Sequence, residues 1–287
     1  MGFLRRLLAS DGESTPESTS SVELRTPAAV PKFEVGWSTD VGKMRDHNED
    51  NALVITAAQD GDELRSPFGL FIVADGMGGH RAGEVASSLA ARVTAHYVAR
   101  QCYLPSLIAK ERDADQPALT EILIGAVRAA NDAVSQQVPG GGTTLTCALV
   151  LGSQAYVAHV GDSRAYVLNE KGLVQITHDH SLVDRLVETG QLTRDEAAVH
   201  PQKNVLYRAV GQSRTLEVDT HVRRIPHGEH LLLCSDGLWD MVNEADMADL
   251  VGGALSLQDA CEDLVAAANE AGGRDNITVI LWRSPLG

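Results

Sequence analysis

Acidic residues stand repeatedly where apolar runs of this chain end or begin. In FIVADGMGGH, residues 71–80, a strand-like run over 71–74 delivers Asp75-Gly76 into a glycine-rich turn. HVGDSR and LLLCSDGLWD deliver Asp162 and Asp236 in the same way. Glu49 and Asp50 precede another strand, and RDN puts Asp275 ahead of the last one. A β run is a rigid mount for a carboxylate, and the glycine after Asp75 lets its own carbonyl approach whatever that carboxylate holds. One Asp-Gly after a strand is an ordinary turn. Repetition over distant segments points instead to a shared cation site.

Four such carboxylates, Asp50, Asp75, Asp236 and Asp275, cannot all ionise in one pocket without positive charge. Two divalent ions bring four charges and cancel them. Ligands made only of oxygen, the Gly76 carbonyl among them, favour Mg2+ or Mn2+, whereas zinc calls for His or Cys at spacings this chain lacks. Two ions about 4 Å apart lower the pKa of a shared water and present it to a phosphorus centre. Arg45, just upstream of Glu49-Asp50, has the planar fork that grips phosphate oxygens.

The rest of the chain must position these groups. Its 287 residues, 44% hydrophobic, suffice for one large domain or two small ones. The formal net charge is -15; the four acids and four Lys or Arg of residues 1–32 cancel, so the whole deficit lies in 33–287. That balance argues against nucleic-acid binding by the body. Cys102, Cys147, Cys234 and Cys261 lie far apart with no CxxC, which reads as packed thiols in a reducing, cytoplasmic setting. No run approaches the ~20 apolar residues of a membrane span. The opening MGFLRRLLAS is too short for a signal peptide with a cleavage site. Residues 11–31 are rich in Ser, Thr and Pro and poor in large apolar side chains, so 1–32 is read as a flexible tail before a catalytic domain at 33–287.

Strands are predicted over 33–41, 52–58, 71–74, 143–151, 155–160, 164–168, 173–177, 218–225, 230–235 and 277–282. Helices are predicted over 84–100, where Val85, Leu89, Val93 and Tyr97 recur every four residues, and over 117–138. Short helices at 181–190 and 193–200 sit in a polar excursion, and two more fall near 245–251 and 257–271. Strands arrive as hairpins with helices paired or single between them. That pattern is α+β with antiparallel sheets, not a βαβ alternation.

VGKMRDHNEDN, ADGMGGH, GGTTLTCALV, VGDSRAY, ITHDHSLV, CSDGLWD and GGRDNITVIL occur in this order. Together they resemble the PP2C-type, metal-dependent (PPM) serine/threonine phosphatases, the bacterial branch in particular, over roughly residues 35–283. The resemblance implies an αββα sandwich, two antiparallel sheets flanked by helix pairs, with two Mn2+ or Mg2+ ions in a cleft at one end. On it Asp75 bridges both ions, the Gly76 carbonyl binds the first, and Asp236 and Asp275 bind the second. Glu49 and Asp50 hold metal waters, directly or through hydrogen bonds. Asp162 with Asp236 matches a weaker third site of bacterial members, with Asp240 as a helper, and Arg45 matches the phosphate-binding arginine. Residues 184–211 correspond to a mobile flap.

Several residues carry a plainer reading beside the functional one. Asp162 either supports a third ion or pairs with Arg164 to hold its turn. His80 is a candidate general acid for the leaving seryl oxygen, since histidine titrates near neutrality. In animal relatives that histidine follows Asp-Gly directly, and here Met77 stands there; a metal-bound water is the other candidate. Asn276 caps or orients Asp275. Thr143 and Thr144 lie in a strand beneath the site, His178 and His180 form the turn into the flap, and Trp239 packs in the core.

The leading function is therefore hydrolysis of phosphoserine and phosphothreonine in proteins, a serine/threonine kinase or its substrates among them, by a cytoplasmic monomer. No Cys-x5-Arg loop exists for a cysteine nucleophile. A pseudophosphatase would lack a metal aspartate or the phosphate arginine, and Arg45, Asp75, Asp236 and Asp275 are all present. Hydrolysis of nucleotides or small phosphoesters on the same scaffold is the third reading.

Overall fold

The structure is a computed structural model that describes residues 34–57, 67–79, 81–108 and 116–284. The expected tail, 1–32, lies outside the described residues. In chain order the elements are β1 (Glu34–Asp40), β2 (Asp50–Ala57), β3 (Phe68–Met77), α1 (Arg81–Val98), a π turn (Ala99–Tyr103), α2 (Leu104–Ser106), α3 (Leu119–Gln137), β4 (Gly142–Thr143), β5 (Leu145–Leu151) and β6 (Gln154–Val160). There follow β7 (Arg164–Asn169), β8 (Gly172–Gln175), α4 (Leu182–Glu188), α5 (Arg194–Ala198), β9 (Asp219–Arg224), β10 (His230–Cys234), α6 (Asp236–Trp239), α7 (Glu244–Gly253), α8 (Leu257–Glu270) and β11 (Ile277–Arg283).

All strand pairs are antiparallel. One sheet runs β1-β11-β10-β7-β8; the other runs β2-β3-β5-β6-β9, with β4 paired to the end of β3. Side chains alternate across each central strand. On β3, Leu70, Ile72 and Ala74 face α1 and α3, while Phe71 and Val73 meet Leu233, Ile280 and Trp282 of the opposite sheet. Cys234, Val279 and Leu281 pack outward on α7 and α8. Four layers result, helix, sheet, sheet, helix, and the expected αββα order is met. Burial on both faces explains why these strands read as unbroken apolar runs and not as alternation.

Two local differences matter. The strand expected at 71–74 extends through Asp75 and Gly76 to Met77, because β4 gives its end a partner, Gly76 opposite Thr143 and Met77 opposite Gly142. Asp75 is thus held within a ladder, directly across from Asp50. The polar excursion is fastened at both limbs: Leu182 N donates to Val205 O, Tyr207 N to His180 O, and Val210 exchanges backbone hydrogen bonds with Thr143. Between its limbs lie α4 and α5, each opened by a side-chain cap, Ser181 and Thr193.

The four cysteines are free and buried. Burial pushes the thiols of Cys147, Cys234 and Cys261 up to about 12, so they remain protonated packing groups. Among the described residues no helix is long and apolar enough to cross a membrane.

Candidate active site

Strand ends bring the acids together. The C-terminal ends of β3, β6 and β10 and the N-terminal ends of β2, β7 and β11 lie at one end of the sandwich, as the registers Asp50–Asp75, Leu145–Val160 and Cys234–Val279 require. There a cleft of about 550 Å³ is lined by Arg45, Glu49, Asp75, Gly76, Asp162, Asp236 and Asp275. Asp50 lies buried beneath it. Arg45, Glu49, Asp75, Gly76, Asp162, Asp236 and Asp275 are therefore gathered in one cleft, Asp240 lines a neighbouring one, and His80 lies outside the described residues.

Each carboxylate has its own mount. Asp75 N donates to Thr144 Oγ1 at 2.9 Å, and the Asp75 carbonyl accepts from Thr143 Oγ1 and Thr144 N, both at 2.8 Å. Gly76 N donates to the Glu49 carbonyl at 3.2 Å. A side chain at Gly76 would run into the backbone of Gly83, so only glycine lets β3 pass this close to α1. Ser235 Oγ donates to Asp50 Oδ2 at 2.7 Å and accepts from Thr278 N at 2.9 Å, tying the buried acid to the opposite sheet. Asp236 opens α6 directly after Ser235. Asp275 Oδ1 accepts from the backbone N of Asn276 at 2.8 Å, while Oδ2 meets Arg45 Nη2 at 2.6 Å; the Asn276 side chain itself bonds elsewhere.

The charge balance is strained in the way carboxylate crowding predicts. Asp75 is raised well above the ordinary carboxylate range, first by burial and then by Asp50, Asp236, Asp162 and Asp275. Asp236 is raised likewise, by burial and then Asp162 and Asp275. Burial also pushes Asp50 up to about 6 and Asp162 up to about 7. Two oxygens decide what could relieve this. Asp50 Oδ1 and Asp236 Oδ1 are buried and have no hydrogen-bond donor. An orphaned buried acceptor is costly to a protein, whereas it is the natural state of a ligand to a hard cation. The residues therefore fit divalent metal through an all-oxygen donor set. Among the described residues no three acidic, imidazole or thiol groups close as tightly as ligands around one ion.

Asp162 does not pair with Arg164. The Arg164 guanidinium grips Asp179 instead, Nη2 to Oδ2 at 2.7 Å and Nε to Oδ1 at 3.0 Å, and lies 3.6 Å over the Trp239 ring. Trp239 packs against the outer core cluster as expected and does more: half-buried, it donates Nε1–H to the Asp162 carbonyl at 3.0 Å. His180 does more than turn the chain, because its Nδ1 accepts from Gly161 N at 3.0 Å beside Asp162. Asp240 is held by Lys203 of the excursion, Nζ to both carboxylate oxygens at 2.8 and 2.7 Å. Asn204, Leu206 and Gln212 bring the excursion to the cleft wall. Of these supports, Ser235 had a visible signal, a polar residue closing an apolar strand next to an acid. Trp239 and Lys203 had none.

The family model for protein phosphatase 2C matches residues 37–277. The chain belongs to the protein phosphatase 2C family. Metal-dependent hydrolysis of phosphoserine and phosphothreonine is the general activity of that family. The serine/threonine phosphatase stp of Listeria welshimeri is 41% identical over 250 residues, spanning 85% of this chain and 93% of that protein. Among solved structures, the Mycobacterium tuberculosis serine/threonine phosphatase PstP/Ppp is 33% identical with a TM-score of 0.72, covering 88% of this chain and 98% of its own. A structure of the PstP catalytic domain in complex with two manganese ions is 33% identical with a TM-score of 0.70, covering 88% of this chain and 97% of its own. The sandwich fold is thus common ground with these bacterial structures.

Proposed function

We propose that this PP2C-family serine/threonine phosphatase hydrolyses phosphoprotein substrates at the acid-lined cleft, without a covalent phosphoenzyme. The observation that carries the reading is the pair of donor-less buried carboxylate oxygens, on Asp50 and Asp236, within a ring of acids that Arg45 borders. Mn2+ or Mg2+ is the cofactor, and when bound the two ions supply an acidified water and positive charge at phosphorus. Asp75, the Gly76 carbonyl, Asp236 and Asp275 would hold the ions, with Asp50 beside them. Arg45 keeps free guanidinium donors for the phosphate oxygens, since only Nη2 is committed to Asp275. The buried, protonated cysteines exclude a thiolate nucleophile. The net charge of -15 weighs against nucleic acid as a partner. Its substrates include a serine/threonine kinase or that kinase's targets, and it acts as a cytoplasmic monomer.

The deciding experiment is turnover of p-nitrophenyl phosphate and a phosphothreonine peptide with Mn2+, Mg2+ or EDTA. Turnover of both with either metal and none with EDTA is expected. Metal-independent turnover, or failure on the peptide with activity on nucleotides, overturns the reading.

Proton competition gives a second check. Carboxylates whose folded pKa is raised favour folding fully below about 3.9, their unfolded value, and lose that contribution as pH rises through the folded values. For Asp50 and Asp162 those values are about 6 and about 7. Mn2+ should therefore raise the melting temperature more at pH 8 than at pH 5.5, where protons already neutralise the cleft. Equal increments at both pH values would count against ion binding at these acids.

Asp162, freed from Arg164, is assigned with Asp236 to a weaker third ion. Asp162→Ala should leave the first two metals in place yet slow hydrolysis, most clearly at low Mn2+. An unchanged curve of kcat against Mn2+ concentration, with a lowered melting temperature, would make Asp162 purely structural.

A further inference from the structure

We infer that Asn276 is a positioning residue for Arg45, acting through the segment that carries the arginine and not through its neighbour Asp275. The inference rests on Arg45 as the phosphate-binding group. Asn276 is buried, 4% exposed, and its side-chain amide is fully used. Nδ2 donates to the Val41 carbonyl and to the His47 carbonyl, both at 2.9 Å. Oδ1 accepts from Glu49 N at 2.8 Å. Both ends of segment 41–49 are thus pinned to one side chain, with Arg45 between them.

Segment 41–49 has no regular secondary structure of its own, so its conformation depends on such ties. Other anchors are local or one-sided: Gly42 N to Asp40 Oδ1, Lys43 N and Met44 N to the Gly273 carbonyl, Asn48 Nδ2 to Thr39 Oγ1, and Gly76 N and Ser87 Oγ to the Glu49 carbonyl. The Asn276 amide spans the segment from Val41 to Glu49, offering two donors and one acceptor from the same planar group. The guanidinium itself is half-exposed and meets Asp275 through one nitrogen, which cannot fix its direction. Asn276 thereby sets the distance between the arginine that receives phosphate and the acids that receive metal.

Such a role predicts coupling, because an effect transmitted through Arg45 disappears when Arg45 is absent. The test is a double-mutant cycle with Asn276→Ala, Arg45→Ala and the pair, reading kcat and KM for a phosphothreonine peptide at saturating Mn2+. Asn276→Ala alone should raise KM on the order of tenfold with kcat within about threefold, and should change KM less than about twofold once Arg45 is alanine. If Arg45→Ala raises KM but the two effects multiply independently, the inference fails and the proposed role of Arg45 stands. If Arg45→Ala leaves KM unchanged, both fall. Mn2+ binding by calorimetry separates the neighbouring route: a loss of metal affinity that tracks the loss of activity would mean that Asn276 works through Asp275, and would overturn the inference. Asn276→Asp keeps the size and the acceptor for Glu49 N but lacks the two donors, so it carries the same test should the alanine variant fail to fold. It should reproduce the rise in KM; a wild-type KM in that variant overturns the inference.

Discussion

Asp236→Asn should stop turnover while making the metal-free protein harder to melt. The two effects share one cause. Asp236 sits buried among Asp162, Asp275, Asp50 and Asp240, and its carboxyl is raised well above the ordinary range. With no cation present, ionising it at neutral pH opposes folding, and a neutral amide of the same shape removes that opposition. Relief of even ~1 kcal/mol corresponds to roughly 2–4 °C in a protein of this size. With Mn2+ present the order reverses, because the variant lacks a ligand and gains less from the ion. Thermal melts with and without Mn2+, beside kcat for a phosphothreonine peptide, read both effects. Retention of more than about a tenth of kcat, a barrier change of only ~1.4 kcal/mol, would remove Asp236 from the metal set. A metal-free variant that melts below wild type would refute the charge argument.

Arg45→Ala should act on substrate and not on metal. A charge-assisted pair of hydrogen bonds to phosphate is worth about 1.5–3 kcal/mol, or roughly 10- to 100-fold, with the lower end expected because the side chain is half-exposed. The loss should appear chiefly as a raised KM for the phosphopeptide. Mn2+ should bind as well as before or slightly better, since Asp275 is released from its present cation. Calorimetry showing Mn2+ binding weakened as severely as in Asp75→Ala would place Arg45 among the metal supports instead.

How far the sequence disclosed this site depends on the range of the interaction involved. Asp75, Asp162, Asp236 and Asp275 could be picked out because each adjoins an apolar run, and strand ends are where a sandwich exposes polar groups. Antiparallel α+β sheets followed from hairpin order, with helix boundaries within a few residues, whereas the sandwich came from the family resemblance. β4 and the extension of β3 through Asp75 were hidden, because Asp-Gly reads locally as a turn and only the distant Thr143 makes it a strand. Trp239 looked like core because large aromatics in apolar runs usually are; its indole N–H found the Asp162 carbonyl 77 positions away. The Lys203–Asp240 clasp and the side-chain contacts of Asn276 are likewise pairings of residues far apart in the chain. No local pattern encodes them.

The place of β11 governs when such a chain can become an enzyme. Residues 277–283 are the middle strand between β1 and β10, so Glu34 pairs with Arg283 and the first strand waits for the last. During synthesis, β1 emerges early with both of its edges open, and β10 emerges with one. Until β11 leaves the ribosome, one sheet is split and Asp275 has no strand behind it. Contacts spanning nearly the whole chain also make this closure the slow part of folding. A nascent chain, or one cut before β11, therefore cannot join β1 to β10: the sheet that carries Asp236 and Asp275 closes only once residues 277–283 are in place.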